Sequence, residues 1–431
     1  MFLFTIRYFN NLELKKKIFF FIVLTSLISG VLPKNYITLF GQQVFISLPY
    51  LLILFLLIVL ISYYFFPRKI ILKKEESIDK LINFIIIWWI IVFFSTTINI
   101  LIYTGPDLYL FENILNFIKW SSGLAFFLIG LKFINWDEKD LEIIIKLLIF
   151  TVLIISIFIL FDYKLFYFYY ELSGNISWSF WEGMAKHEIP EILGMISLMV
   201  LSLIFIKLSI IKKIIYLILF ILIFIDMLFF FSRETYITIF IGILTLIIIK
   251  DISLIKKIIL IFFYLFLLLV FLKLKFGQFV IWTINEINID PNRASSFRFD
   301  RWISALKIGL DHPFVGVGFW GFKNFVPHGG GTSAHNAYLQ AFVVGGVPGF
   351  FIFIIIIAKV IALIKSCIKA SNGFNKAICE GMLSVLIGYL ASAFFSDHFF
   401  TFYYFNIIFW GVTAILIVSI KKHQNVSYAN G

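Results

Sequence analysis

A succession of apolar runs, each near the length of a membrane-crossing helix, limits this chain more than any other feature. Crossing the hydrocarbon core takes about 20 mostly apolar residues. The runs fall at 18–32, 44–66, 81–103, 114–131, 141–161, 189–206, 214–231, 235–249, 257–272, 348–364, 378–396 and 400–420. Composition agrees with them: 61% of residues are apolar and 14% charged, against roughly half and a quarter in soluble domains. A soluble globular protein, a disordered chain and a secreted disulfide scaffold are excluded. The expected fold class is an all-α polytopic membrane protein of about twelve transmembrane helices. The first run follows Lys15, Lys16 and Lys17 as a signal peptide would. No small-x-small cleavage site comes after it, so it reads as a retained first span.

The net charge of +12 raises the question of a nucleic-acid partner. The placement of the basic residues answers it. They gather at Lys15 to Lys17, Arg68 to Lys74, Lys132 and Lys139, Lys212 and Lys213, Lys250 to Lys257, Lys365 to Lys376, and Lys421 and Lys422. The alternate short connections, such as Thr104 to Leu108 and Ser396 to His398, are nearly free of Lys and Arg. Cytoplasmic loops carry such an excess, so both termini are expected inside. The partner implied by this charge is the lipid bilayer, not nucleic acid. Cys367 and Cys379 lie near a cytoplasmic connection, where a disulfide is disfavoured; they read as small apolar residues.

Two outward connections are long. Residues 1–272 are expected to hold the first nine spans, with a small outer loop at 162–188 rich in Tyr and Trp, the residues of membrane interfaces. Residues 273–347 form a much longer outer loop, too rich in Phe, Trp and Ile for disorder, and 348–431 hold the last three spans. Within the long loop, Phe297 to Leu310 has helical spacing, with Ser295 or Ser296 as its cap. Arg298, Arg301, Trp302 and Ala305 share one face of it, and His312-Pro313 ends it. Gly345-Gly346-Val-Pro348-Gly349 predicts a kink just before the tenth span.

Arg233 stands between two apolar runs at the outer membrane edge, where a charge needs a functional reason or a local partner such as Glu234. Arg298 and Arg301, one turn apart where basic residues are scarce, suit a phosphate or diphosphate; the alternative is a solvated basic face. His335 beside Asn336 is a candidate base. His187, which shares an outer loop with Glu182 and Glu188, is its rival, and His312, His328 and His398 are further candidates. No metal-binding motif and no P-loop is present. Nucleotide is scarce outside the cytoplasm, so a transferase on this side needs an activated, lipid-linked donor.

Several of these segments together resemble a known family. They are Arg298-Phe-Asp-Arg-Trp302, Asp311-His-Pro313-Phe-Val-Gly316-Val-Gly318, His335-Asn336-Ala-Tyr-Leu339 and Gly346-Val-Pro-Gly349. Their order and spacing resemble the shared region of the O-antigen ligase and O-antigen polymerase superfamily. Ser232-Arg233 is similar to the family's Ser-Arg pair, and the stretch around His187-Glu188 to a weaker element. Many members carry an acid in the helix after His-Asn; here that stretch reads Ala341-Phe-Val-Val-Gly-Gly346.

The resemblance implies a GT-C-like, metal-independent glycosyltransferase without a cofactor. It would sit in a Gram-negative inner membrane, with its active site on the periplasmic side and undecaprenyl-diphosphate-linked glycan as donor. Arg233 and Arg298 would contact the diphosphate and His335 would activate the acceptor hydroxyl. Arg301, Trp302, Asn336, His187 and Glu188 would bind substrate. The acceptor is a second glycan if the protein is a polymerase, the reading preferred here. It is lipid A–core, or a protein, if the protein is a ligase. A polymerase would also imply a polysaccharide chain-length regulator as a partner. A transporter of lipid-linked glycan is the third reading; internal symmetry is not evident, and Asp226 is the only conspicuous polar residue deep in a span.

The charge alternation predicts that reporter fusions after Lys250 and after Asn324 read out on opposite sides of the membrane. Cytoplasmic readings from both would overturn the topology.

Overall fold

The computed structural model describes residues 13–31, 36–39, 42–45, 76–103, 109–173, 185–229, 232–273, 298–319, 321–322, 333–401 and 403–429. Its helices are α1 Leu14–Val31, α2 Glu76–Tyr103, α3 Tyr109–Phe133, α4 Glu138–Ser173, α5 Ala185–Ile204, α6 Ile210–Phe229 and α7 Arg233–Ile249. They continue with α8 Leu254–Lys273, α9 Arg298–Asp311, α10 Ala337–Ala370, α11 Gly373–Ser392, α12 His398–Thr401 and α13 Tyr403–Ala429. A small antiparallel hairpin pairs β1 Tyr36–Leu39 with β2 Gln42–Phe45; the other described elements are all helices.

Every apolar run but the second overlaps a helix. The second, 44–66, lies outside the described residues except at its first two positions, which belong to β2. Among the described residues, four helices are long and apolar enough to cross a membrane: Glu76–Ile102, Glu138–Leu160, Ala337–Ala370 and Gly373–Ser392. Two boundaries differ from expectation. The outer loop at 162–188 is partly helical, because α4 continues to Ser173 and α5 begins at Ala185. The tenth span begins inside the long loop, at Ala337.

Helix ends are built from local chemistry. Asp137 and Asp140 exchange backbone-to-carboxylate hydrogen bonds of 2.9 and 3.0 Å across the start of α4, satisfying two donors that the helix leaves open. Lys16 of α1 reaches the buried Asp140 at 2.5 Å, which ties the first helix to the fourth. In a bilayer, helices gain little from burying apolar faces against one another; close packing and interhelical polar contacts hold them. At Gly388 of α11, a Cβ would lie 2.3 Å from the Thr238 carbonyl oxygen of α7. Beside it, Thr238 donates to Ser392 at 2.9 Å.

The predicted kink falls at Gly346, whose φ is +63°. A helix would bond the Val347 N–H to Val343 O and the residue-348 N–H to Val344 O. Pro348 has no N–H, and the Val347 N–H turns out to Pro313 O at 2.7 Å. The two freed carbonyls accept from the loop: Val317 N donates to Val343 O at 2.8 Å and Gly318 N to Val344 O at 3.2 Å. Ser95 of α2 adds a third donor, to Val344 O at 2.7 Å. The segment 313–318 is thus sewn to the kink, and α2 closes over it. Gly318 has φ +72°, and a Cβ there would stand 2.4 Å from Thr96 Cα.

Gly346→Ala should therefore destabilise the protein by about 2–5 kcal/mol, combining the left-handed backbone with a clash against Pro313 O, which a Cβ would approach to 2.5 Å. Thermal unfolding of the detergent-solubilised variant measures this. An unchanged transition would show that the kink is not constrained as described.

Candidate functional site

Four elements meet at one end of the bundle: the start of α7, helix α9, the start of α10, and the turn from α11 to α12. The sewn loop sets α9 against α10, with Gly309 pressed on the Phe342 ring. Ala305, Ile308 and Gly309 form the buried face of α9. Arg298, Arg301 and Trp302 continue that face toward the N-terminus, as their spacing predicts.

Arg298 pairs with an acid of one element, and Arg301 feels the charge of an acid on another. Arg298, with its side chain 15% exposed, forms an ion pair with Glu234 in the first turn of α7. Glu234 is also the acceptor of a 3.4 Å contact from the Ser232 hydroxyl, while Ser232 caps the helix by accepting from Thr235 N. Arg301 is half-buried. Its burial, and then the neighbouring Arg298 charge, push its pKa down, whereas Asp397 pushes it up. A guanidinium stays protonated regardless. The useful content is geometric: two mutually repelling cations share one face, with Asp397 near the second.

Trp302 packs against Phe299 and Phe395 at centroid distances of 5.1 and 6.0 Å. Its Nε1 is buried and has no hydrogen-bond acceptor among the described residues. A buried donor without a partner costs about 1–3 kcal/mol.

His335 stands at the mouth of the site. Its φ is +49°, a left-handed conformation that histidine tolerates better than most residues but that still stores strain. Its ring is 37% exposed, and Nδ1 lies 3.6 Å from Oδ1 of Asp397, whose side chain is 2% exposed. Asn336 anchors the start of α10. Its Oδ1 accepts from Tyr338 N and Leu339 N at 3.0 Å, capping the helix, and its Nδ2 donates to Phe394 O at 3.0 Å. Ala337 N donates to Ala393 O and Ser396 O at 2.9 and 3.0 Å. The His-Asn pair is thereby fastened to the turn that carries Asp397.

Sequence reasoning does not single out Asp397. An acid does stand beside His335, on a turn about 60 residues later in the sequence. The only sequence signal for it is its position in a short outward connection. Glu191 is a second such residue. It is buried one turn below Glu188, accepts from the Thr235 hydroxyl at 3.0 Å and sits near Glu234.

The remaining predicted residues fall differently. Glu188 is buried, and its Oε2 accepts from Phe405 N at 3.4 Å, which ties α5 to the first turn of α13. Arg233 is the first residue of α7, next to Glu234, and His187 lies in the first turn of α5; neither side chain is among those described. His328 is outside the described residues, and so is the side chain of His398. His312 lies just past the last turn of α9, at the opposite end of that helix from Arg298. Among the described residues, no group of three or more His, Cys, Asp or Glu is placed to hold a metal ion.

Residues 218–354 match the family model described as O-antigen ligase. The matched region contains α7, α9, the sewn loop and the kink of α10. It bears out the resemblance to the O-antigen ligase and polymerase superfamily and, with the apolar helices, supports a membrane protein of ligase- or polymerase-like function. No curated protein matches the chain.

Asp397→Asn keeps the shape of the turn but removes the carboxylate charge beside His335. Glycan transfer should fall at least about tenfold, equivalent to roughly 1.4 kcal/mol, with the melting transition little changed. Wild-type transfer by the folded variant would make the His335–Asp397 approach incidental.

Proposed function

We propose, taking the O-antigen ligase match over residues 218–354 as premise, that this protein is a membrane glycosyltransferase. It moves a glycan from undecaprenyl diphosphate to an acceptor sugar hydroxyl. The observation that carries the reading is the convergence of Arg298, Arg301 and the Asp397-backed His335 at one end of the bundle. The Lys/Arg distribution supports assigning that end to the periplasm, and the family supports a Gram-negative inner membrane.

In this reading the diphosphate of the donor meets Arg298 and Arg301, with Arg233 at the head of α7. Their mutual repulsion is relieved by an anion, and the charge that grows on the departing diphosphate is stabilised by guanidiniums already in place. The arginines supply the role that a divalent cation holds in other transferases, so the reaction is taken to be metal-independent. Trp302 offers its indole N–H to the bound glycan. His335 takes the proton from the acceptor hydroxyl, whose oxygen then bonds to the anomeric carbon. The bond from that carbon to the diphosphate oxygen breaks, and undecaprenyl diphosphate leaves with the electron pair. Direct displacement inverts the anomeric centre. Asp397 holds the imidazole and stabilises it once it is charged. Asn336 positions His335 through the α10 cap.

The polymerase and the ligase share this donor chemistry. We retain the polymerase, with a lipid-linked repeat unit as acceptor and a chain-length regulator as partner. A deletion strain whose lipopolysaccharide carries a single repeat on core supports it. Loss of all O-antigen from core, with long lipid-linked chains accumulating, makes the acceptor lipid A–core.

Purified protein and lipid-diphosphate glycan test the donor chemistry. Arg298→Lys keeps the charge but loses the planar fork and should reduce transfer at least about tenfold. His335→Ala should still bind donor yet lose about 10² to 10⁴ in rate, and EDTA should have no effect. Normal transfer by both variants would sink the assignment.

A further inference from the structure

The opposite end of the bundle holds a second feature that glycan transfer does not use. A cavity of ≈ 1070 Å³ opens where the lower ends of α4, α6 and α11 meet the connections after α5 and α7. It lies away from the arginines along the same helices: α7 runs from Arg233 near the site to Ile249, just before the cavity-lining Lys250. The Lys/Arg distribution assigns this end to the cytoplasm.

The cavity has two kinds of wall. Phe150 and Leu153 of α4 and Ile215 and Leu219 of α6 form an apolar side. Phe150 and Ile215 are 43% and 50% exposed, as lipid-facing residues would be. The other side is charged, and most of its charge cancels. Lys250 is buried, pairs with Glu380 and donates to Ser202 O at 3.1 Å. Lys146 pairs with Glu142. Three lysines remain on the lining, Lys207, Lys212 and Lys376, and none makes an ion pair among the described residues. Among the described residues Asp251 is the one remaining carboxylate there, so their uncancelled lining charge is positive.

We infer that this cavity binds the phosphate headgroup of an anionic phospholipid from the cytoplasmic leaflet. The three lysines hold the phosphate, and an acyl chain lies along the Phe150–Leu219 wall. Basic pockets between membrane helices on the cytoplasmic side recognise anionic lipid in this way. The volume and the apolar wall exceed what a phosphate ion alone would fill. A soluble phosphate would use the same lysines, so the test separates the two sources.

Full-length protein would be reconstituted in phosphatidylcholine nanodiscs and titrated with phosphatidylglycerol, with lipid retention counted by native mass spectrometry. The wild type should retain phosphatidylglycerol in preference to phosphatidylcholine, and inorganic phosphate should not displace it. The variant Lys207→Gln/Lys212→Gln/Lys376→Gln should bind at least about tenfold more weakly. The exposed single variant Lys207→Gln should show a smaller loss with an unchanged melting transition. A control with Lys256, Lys365 and Lys369 changed to Gln removes as much cytoplasmic charge away from the cavity and should bind as the wild type does. Equal retention by the first triple variant, or an equal loss in the control, would overturn the proposal. Displacement by inorganic phosphate would reassign the cavity to a soluble anion. Glycan transfer is not read in this experiment, so its result stands apart from the reading of the other site.

Discussion

Backbone hydrogen bonds between residues 313–318 and the kink of α10 hold the candidate site in place. Val343 and Val344 are fully buried, and a freed carbonyl there must find a partner within the protein. Pro348 and Gly346 free the carbonyls of Val343 and Val344, and Val317 N and Gly318 N take them up. The bonds run both ways, since Val347 N is spent on Pro313 O. Loop and kink therefore form together. The end of α9 is fixed on one side of this seam, and His335 stands just before the Asn336 cap of the helix on the other.

Electrostatics is then set by position. Arg298 and Arg301 point the same way from one helix, and the acid near each lies on a different element. Removing one partner of a buried pair costs about 3–5 kcal/mol, because the other charge is left stranded. Glu234 thus anchors Arg298 beside a second cation, while Asp397 offsets the Arg301 charge through space without pairing with it. In the proposed function, the donor diphosphate is the anion that takes its place beside these two guanidiniums.

The two ends of the bundle treat charge differently. At the candidate-site end, the described arginines Arg298 and Arg301 share one face of α9, with the buried acids Glu234 and Asp397 near them. At the opposite end, lysines take part in buried pairs, Lys16 with Asp140 and Lys250 with Glu380, that cross-link helices. The lysines left over face an apolar-walled cavity. Arginine suits bidentate capture of a diphosphate and lysine a diffuse lipid headgroup.

Apolar runs were enough to place most of the described helices in order, and sided lysines to set the expected topology, because membrane insertion is decided by segment hydropathy and flanking charge, both local properties. The α9 helix and the kink were legible for the same reason: helical spacing, the His312-Pro313 stop and Gly346-x-Pro348 act within a few residues. The motif also marked Arg298, Arg301, Trp302 and His335 as belonging together. Nothing local could show that Arg298 meets Glu234, 64 positions earlier, or that Asp397 stands behind His335. Nor could it show that Glu188 and Asn336 spend their side chains on helix starts. Those pairings depend on which helix ends lie side by side. Helix crossings set that, at places such as Gly388 against Thr238, where the backbones touch. Only the folded bundle brings such distant residues within reach of one another.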